Sequence, residues 1–251
     1  MSTTIHQTKS YLYLPDTNIY LYSKKPFSMH TNRTILPEVT TDGSNTLYIP
    51  ELDEHYHSVK GARTESLHIY CGLALKHFAE RHPQHSCIRV FEVGFGTGLN
   101  ALLTLETALE KGLNVHYTTV ELYPLSWNQV KPLGYSDSEE FEFIHTSPWE
   151  ECICVKPEFT LCKKCADVLN MELPTSIDVV YFDAFAPEKQ SELWSESLFR
   201  RIYERMTSGG VLTTYCAKGV VRRMLQQVGF IVERLPGPPG GKREVLRAVK
   251  A

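Results

Sequence analysis

The sequence predicts an α/β fold: a mainly parallel seven-stranded sheet with helices on both faces and an antiparallel last strand. From residue 88 onward, apolar runs of strand length alternate with segments of helical period. The first of these runs ends in Glu92-Val93-Gly94-Phe95-Gly96-Thr97-Gly98, a glycine-rich turn that leads into a helix. A strand, a glycine turn and a helix in this order are typical of nucleotide-cofactor domains.

The elements follow in chain order. A strand is expected over residues 46–50, and a helix with Thr64 as its N-cap is expected to end near His82. The last two strands are joined by a Pro- and Gly-rich segment, residues 236–241, which is too short for a crossover helix, so they should pair antiparallel. Strands are also predicted over residues 88–93, 115–121, 141–145, 177–183 and 210–215, and the last two strands over residues 229–235 and 243–249. Helices are predicted over residues 98–111, 125–131, 192–206 and 219–227.

Composition favours a cytoplasmic enzyme. The chain has 251 residues and a formal charge of −3, so it lacks the global basicity of many nucleic-acid binders. No apolar run approaches the roughly 18 residues of a membrane span, and no signal peptide is recognisable. We expect an N-terminal extension over residues 1–37 and one domain over 38–251, in which 38–87 cover the cofactor pocket and 88–251 form the core.

The glycine turn indicates the type of cofactor. Its pattern is Gly-x-Gly-x-Gly, and Leu99 stands where a dinucleotide-binding turn needs its third glycine. Glu92 would repel a pyrophosphate but suits a cationic amino group, such as that of S-adenosylmethionine. A glycine turn of purely structural origin is the alternative at this segment.

Four acidic residues lie at the ends of successive strands, and ligands of doubly wound sheets bind at the carboxyl ends of strands. They are Glu92, Glu121, Asp167 and Asp183. Glu121 is placed to accept hydrogen bonds from both ribose hydroxyls, and Asp167 from the adenine amino group. Any one of them could instead be a solvated loop carboxylate. Chance alone is much less expected to place acidic residues at all four strand ends.

The segment Asp183-Ala184-Phe185-Ala186-Pro187 suits methyl transfer to nitrogen. A primary alkylamine has a pKa near 10, about that of lysine, and must lose a proton before it attacks. A fixed carboxylate at Asp183 would orient the amine and ease its deprotonation, and Phe185 would stack on a flat ring. The alternative is a helix-capping aspartate beside a core phenylalanine.

Several segments together resemble the methyltransferase part of the bacterial MnmC family, including its stand-alone, MnmD-type members. Those segments are the glycine turn, residues 56–66, Val120-Glu121-Leu122-Tyr123-Pro124-Leu125, Asp183–Pro187, Leu193-Trp194, residues 217–223 and Gly241-Lys242-Arg243-Glu244. The resemblance covers roughly residues 42–251.

The resemblance implies a class I, Rossmann-like methyltransferase that uses S-adenosyl-L-methionine and methylates 5-aminomethyl-(2-thio)uridine at the tRNA wobble position. It places Glu92, Gly94, Gly96, Gly98, Glu121 and Asp167 at the cofactor, and Asp183 and Phe185 at the substrate. It also implies an upstream enzyme that supplies the aminomethyl group. Because the chain stops at Ala251, we expect no FAD-dependent oxidase domain. The cations Lys218, Arg222, Lys242 and Arg243 are candidates for phosphate contacts, or else belong to ordinary solvated surfaces.

Other functions stay open at this stage. A methyltransferase of another RNA base or a small amine would use the same cofactor residues. An NAD-dependent oxidoreductase is disfavoured by Leu99 and Glu92, and a non-catalytic binding module is disfavoured by the full acidic set. The seven cysteines suggest reduced thiols, and no metal is predicted, although Cys152, Cys154, Cys162 and Cys165 have spacings that zinc sites also use.

Overall fold

The structure is a computed structural model that describes residues 34–251, so most of the extension predicted over 1–37 lies outside the described residues. The strands are β1 (Leu36–Val39), β2 (Asn45–Ile49), β3 (Glu54–His55), β4 (Ile88–Val93), β5 (Val115–Glu121), β6 (Cys152–Lys156), β7 (Phe159–Cys165), β8 (Ile177–Phe182), β9 (Met206–Thr214), β10 (Phe230–Pro236) and β11 (Glu244–Lys250). The helices are α1 (residues 62–81), α2 (Leu99–Lys111), α3 (Trp127–Val130), α4 (Glu139–Thr146), α5 (Glu196–Arg205) and α6 (Gly219–Val228).

A sheet of eight strands forms the centre of the fold, in the order β10-β11-β9-β8-β4-β5-β7-β6. The pairs β4–β5, β4–β8, β5–β7 and β8–β9 are parallel, whereas β11 pairs antiparallel with both β9 and β10. The predicted mainly parallel sheet with an antiparallel last strand is confirmed. Every residue of β8 is buried, as expected for a central strand covered on both faces.

The segment before the core consists of a small antiparallel sheet, β1-β2-β3, followed by helix α1. The middle of α1, Leu67–Lys76, is π-helical, between α-helical turns at Ala62–Ser66 and His77–Arg81. The helix begins after Gly61, so the prediction of Thr64 as N-cap is wrong. Thr64 instead donates its backbone N–H and hydroxyl to the carboxylate of Asp42, which ties α1 to the loop after β1.

The predicted strand over residues 141–145 is wrong, because these residues belong to helix α4. Ser138 caps that helix by accepting a hydrogen bond from the backbone N–H of Phe141, and acidic residues fill the first turn, where they suit the helix dipole. Phe141, Ile144 and His145 are buried at helical spacing. The place of the missing strand in the sheet is taken by β7, and the hairpin partner β6 adds the eighth strand.

The β6–β7 hairpin also corrects the expectation of reduced thiols. Cys152 and Cys162 are paired residues of the two strands, with Cα atoms 4.2 Å apart, and they form a disulfide. The other five cysteines are free. Among the described residues, no helix is long and apolar enough to cross a bilayer.

Candidate active site

The glycine turn after β4 lets the backbone pass where no side chain fits. Gly94 has a φ of +93°, and a Cβ there would lie 2.5 Å from the carbonyl oxygen of Asp183. Gly96 has a φ of +50° and faces the ring of Tyr56. Gly98 caps α2, where a Cβ would lie 2.6 Å from Nε2 of His145. Gly94 therefore allows the turn to pack closely on the backbone of Asp183, Gly96 allows the Tyr56 ring to lie against the turn, and Gly98 allows close packing on His145.

A cavity of about 420 Å³ opens at the carboxyl ends of β4, β5, β7 and β8. Its wall includes Gly94 and Gly96, the residues around Glu121 and Asp167, and Asp183 with Phe185. Residues 54–59, which comprise β3 and the segment after it, also line the cavity. This is the position at which an open α/β sheet binds its ligand.

Glu121 and Asp167 lie on the same side of this cavity. Glu121 accepts hydrogen bonds from the backbone N–H groups of Gly96, at 3.2 Å, and Tyr123, at 2.9 Å. Asp167 accepts from the backbone of Leu169 and the side chain of Asn170, at 2.9 and 2.6 Å. A carboxylate group has about four acceptor positions, two on each oxygen, so both Glu121 and Asp167 keep acceptor positions for a ligand.

Asp183 lies directly after β8, at the centre of the cavity wall. The hydroxyl of Tyr70 donates to Oδ1 at 2.6 Å, and Nδ2 of Asn100 donates to Oδ2 at 2.7 Å. Burial raises the pKa of Asp183 to about 6, and the two hydrogen bonds oppose that rise. Asp183 is therefore ionised at neutral pH. Its pKa is nevertheless closer to that of an alkylamine than the pKa of an exposed aspartate is.

Glu92 is not in the cavity wall, and this differs from its predicted contact with the cofactor. Its side chain is fully buried beneath the cavity, where it accepts hydrogen bonds from Asn100 at 3.0 Å and from Thr119 at 2.7 Å. Burial raises the pKa of Glu92 to about 8, so the carboxyl group is largely protonated at neutral pH. In this structure it supports Asn100 rather than presenting a charge to a ligand.

Aromatic rings and a lysine form the other half of the cavity. Phe185 and Tyr56 meet edge to face, with ring centroids 5.2 Å apart. Lys242 donates to Glu65 at 2.7 Å, and its ammonium group lies 4.2 Å from the centre of the Tyr215 ring. These contacts join the loop between β10 and β11 to helix α1 across the cavity.

The remaining predicted cations are outside the cavity wall. Lys218 forms an ion pair with Glu188, Arg222 lies on α6, and Arg243 is exposed beside Lys242. Of the four predicted cations, Lys242 lines the cavity, whereas Lys218, Arg222 and Arg243 lie outside its wall.

Sequence reasoning missed the two residues that hold Asp183. Tyr70 falls within the helix predicted to end near His82, and neither Tyr70 nor Asn100 carries a signal in the sequence that points to the site. They approach Asp183 from 113 and 83 residues away, and only the assembled fold shows this. The carboxylates Glu54 and Glu65 also line the cavity.

The wall chemistry fits S-adenosyl-L-methionine. Its lysines, Lys189 and Lys242, come from the loops after β8 and β10, and none comes from the glycine turn or the segments after β5 and β7. A pyrophosphate would lack a cationic side chain there, whereas a cofactor with an adenosine and an ammonium group finds the carboxylates of Glu121 and Asp167. Gly96 lines the cavity with backbone alone, and a Cβ there would lie 3.0 Å from the ring of Tyr56.

One further group of ligand-type side chains lies at the sheet edge. Among residues 34–251, His116, Cys152 and Cys162 place their ligand atoms within 4.8 Å of one another. Two of the three are the sulfur atoms of the disulfide, so their thiolates are not free to bind a metal in this form.

Comparison with known proteins agrees with this assignment. A family model described as an S-adenosyl-L-methionine-dependent methyltransferase matches residues 148–251. The chain is 28% identical over 229 residues to the bifunctional tRNA 5-methylaminomethyl-2-thiouridine biosynthesis protein MnmC of Pseudomonas entomophila, covering 84% of this chain and 35% of that protein. The MnmC of Idiomarina loihiensis is 32% identical over 215 residues, covering 77% and 35%. The chain thus spans about a third of the length of these curated relatives.

Solved structures give the same result for the fold. MnmC2 from Aquifex aeolicus is similar with a TM-score of 0.68 and 27% identity, over 86% of this chain and 70% of that one. Spermidine synthase from Thermotoga maritima shares the fold, with a TM-score of 0.50 and 15% identity over 88% and 74% of the two chains. The chain has a class I, Rossmann-like fold, and its residues 148–251 match the model of a family of S-adenosyl-L-methionine-dependent methyltransferases.

Proposed function

We propose that this protein methylates the primary amine of 5-aminomethyl-(2-thio)uridine at the wobble position of tRNA. The observation that carries the proposal is the placement of Asp183, a fixed carboxylate between the glycine turn and the Phe185–Tyr56 pair. The MnmC relatives, which are named for the methylated nucleoside 5-methylaminomethyl-2-thiouridine, supply the substrate class. The proposal covers the methyl transfer alone, and it requires an upstream reaction that installs the aminomethyl group.

The cofactor half of the cavity would hold S-adenosyl-L-methionine through its carboxylates. Glu121 would accept the ribose hydroxyls and Asp167 the adenine amino group, while Gly94 and Gly96 let the backbone approach the ligand closely. When bound, the cofactor supplies a methyl group on a positively charged sulfur. Glu92 stays beneath the wall and acts through Asn100.

The substrate half would receive the uracil ring and its amine. Phe185 and Tyr56 offer aromatic faces and edges to the flat ring, and Asp183 attracts the substrate ammonium group. Asp183 accepts one proton from that ammonium, which frees the nitrogen lone pair. The lone pair would then form the new bond to the methyl group as that group leaves the cofactor's sulfur, and the proton would pass from Asp183 to solvent.

Cations near the cavity would neutralise tRNA phosphates. Lys242 and Lys189 line the cavity, Arg243 is exposed beside Lys242, and Lys218 and Arg222 lie at the N-terminal end of α6. A local group of this kind is compatible with a nearly neutral chain, because phosphate contacts depend on local rather than net charge.

The test is methylation in vitro with nucleoside analysis. The protein receives S-adenosyl-L-methionine and tRNA from cells that accumulate the aminomethyl form, and the nucleosides are analysed by mass spectrometry. The proposal predicts a gain of one methyl group on 5-aminomethyl-(2-thio)uridine, and a gain that is slower by roughly 10²-fold or more with Asp183→Asn. Methylation of free amines or of another base, with that nucleoside unchanged, would replace this substrate with another.

A further inference from the structure

We propose that Tyr70 and Asn100 are positioning residues that hold the carboxylate of Asp183 in the orientation needed to receive the substrate amine, with Glu92 as the buried anchor of Asn100. This inference rests on the proposed function, because it assigns these residues to the same amine transfer. It adds two residues that neither the sequence motifs nor the family resemblance marked.

The first argument is the arrangement of hydrogen bonds around Asp183. Each carboxylate oxygen has one protein donor, Tyr70 on Oδ1 and Asn100 on Oδ2, at 2.6 and 2.7 Å. The two donors belong to different helices, α1 and α2, so rotation of the carboxylate would break both bonds. Since a carboxylate oxygen accepts about two hydrogen bonds, each oxygen keeps one acceptor position for a ligand in the cavity.

The second argument is that both donors are themselves fixed. Tyr70 is 2% exposed, and its ring packs against that of Tyr181 with centroids 5.1 Å apart. It lies in the π-helical part of α1, a rare conformation that is found often at functional sites. Its hydroxyl therefore reaches Asp183 from a buried position that leaves the side chain little freedom.

Asn100 is fixed by the group beneath it. The same Nδ2 that donates to Asp183 also donates to Oε1 of Glu92 at 3.0 Å, and Thr119 holds the other oxygen of Glu92 at 2.7 Å. All three of Asn100, Glu92 and Thr119 are buried. An amide whose two N–H groups are both used cannot turn without leaving a buried carboxyl group unpaired, which is costly.

A positioning role predicts an effect that a packing role does not. A donor to the ionised carboxylate stabilises its charged form, so loss of the donor must raise the pH at which Asp183 takes up a proton. Tyr70→Phe keeps the ring and its packing and removes only the hydroxyl. Tyr181→Phe is the matched control, because it removes another buried phenol hydroxyl that contacts Thr104 rather than Asp183.

The experiment measures the titration of Asp183 in two ways, from a ¹³C signal of the protein without substrate and from the pH dependence of turnover. In protein labelled with carboxyl-¹³C aspartate, and with Asp183→Asn to assign the signal, Tyr70→Phe should move the titration midpoint upward by about 1 pH unit. The acid limb of the rate profile with aminomethyl-uridine tRNA should move by the same amount, and kcat at pH 6 should fall about fivefold, because the ionised fraction of Asp183 falls from about one half to about one eleventh. Binding of S-adenosyl-L-methionine should stay within about twofold of wild type, and Tyr181→Phe should change none of these.

Asn100→Ala provides a second, independent variant, and circular dichroism melting confirms that each variant is folded. A folded Tyr70→Phe protein whose Asp183 midpoint matches that of Tyr181→Phe would overturn the inference. Inactivity of the wild-type protein on the tRNA would contradict only the proposed function, because the ¹³C titration still decides the role of Tyr70.

Discussion

The carboxyl groups of Glu92 and Asp183 are bridged by a single side-chain amide, that of Asn100. One of them is buried beneath the cavity and the other lines it. Burial raises the pKa of both, to about 8 for Glu92 and about 6 for Asp183, so near pH 7 the first is mostly neutral and the second is charged. The pair thus presents one negative charge, at the position that faces the ligand.

The first prediction concerns turnover by Asp183→Asn. The asparagine can keep both protein contacts, with its oxygen accepting from Asn100 and its amide donating to the Tyr70 hydroxyl, but it cannot take a proton from the substrate. We expect kcat to fall by roughly 10²-fold or more, while the dissociation constant for S-adenosyl-L-methionine changes little. Calorimetry and nucleoside analysis check this, with Glu192→Gln at the cavity rim as the control. Turnover near that of wild type would remove Asp183 from the chemistry.

The second prediction is that the same substitution stabilises the fold in a pH-dependent way. Below about pH 4, Asp183 is protonated in both the folded and unfolded states, so the substitution is neutral there. Between about pH 4 and pH 6 the unfolded chain loses its proton first, so the stability of wild type falls as pH rises. Above about pH 6 Asp183 is ionised in both states, so the loss of wild-type stability no longer grows with pH. Because the carboxylate borders an open cavity, we expect no more than about 2 kcal/mol, or a few degrees in Tm at pH 8. An equal gain at pH 4 and pH 8 would contradict this origin.

The third prediction separates two roles for Glu92. If it supports Asn100 as a neutral group, glutamine is a close substitute, because its oxygen accepts from Asn100 and its amide donates to Thr119. We therefore expect Glu92→Gln to keep cofactor affinity and most of the turnover, and Glu92→Ala to lose turnover because Asn100 is released. A large rise of the cofactor dissociation constant in Glu92→Gln would instead restore the direct contact with a cationic group that the sequence suggested.

The position of Glu92 shows which features of the site the sequence could predict and which it could not. Its place before the glycine turn was evident, and the fold class, the turn and the strand-end carboxylates Glu121, Asp167 and Asp183 were predicted from local patterns. The direction of the Glu92 side chain was not, because five of the six residues of β4 are buried and the two faces of the strand cannot be told apart by polarity.

The prediction of a strand over residues 141–145, which belong to helix α4, was wrong for a different reason. Phe141 and Phe143 alternate with polar residues, which favoured a strand, but the structure buries Phe141 and leaves Phe143 exposed. Ser138 followed by Glu139 and Glu140 was the helix-start signal that should have decided the assignment. Contacts such as that of Tyr70 with Asp183 have no local signal at all, since they depend on how α1 packs over the sheet.

The fourth prediction concerns Glu121 and the cofactor. Its carboxylate holds the backbone of Gly96 and Tyr123, and it is the proposed acceptor for the ribose hydroxyls. Hydrogen bonds to a charged group contribute about 1.5–3 kcal/mol, so Glu121→Ala should raise the dissociation constant for S-adenosyl-L-methionine by roughly 10- to 100-fold. Glu110→Ala, on the exposed face of α2, is the control. An unchanged constant would exclude Glu121 from the cofactor site.

The fifth prediction tests the tRNA contact at Arg243. This residue is exposed next to Lys242, whose side chain is already held by Glu65 and Tyr215, so Arg243 has more freedom to meet a phosphate. We expect Arg243→Gln to raise KM for tRNA severalfold and to reduce the slope of log KM against log salt by about 1, without a change in cofactor affinity. Arg200→Gln is the matched control, because Arg200 lies on α5 in an exposed pair with Glu196, and it should leave the slope unchanged. If both variants keep the wild-type slope, the phosphates are bound elsewhere, and Lys218 and Arg222 are the next residues to substitute.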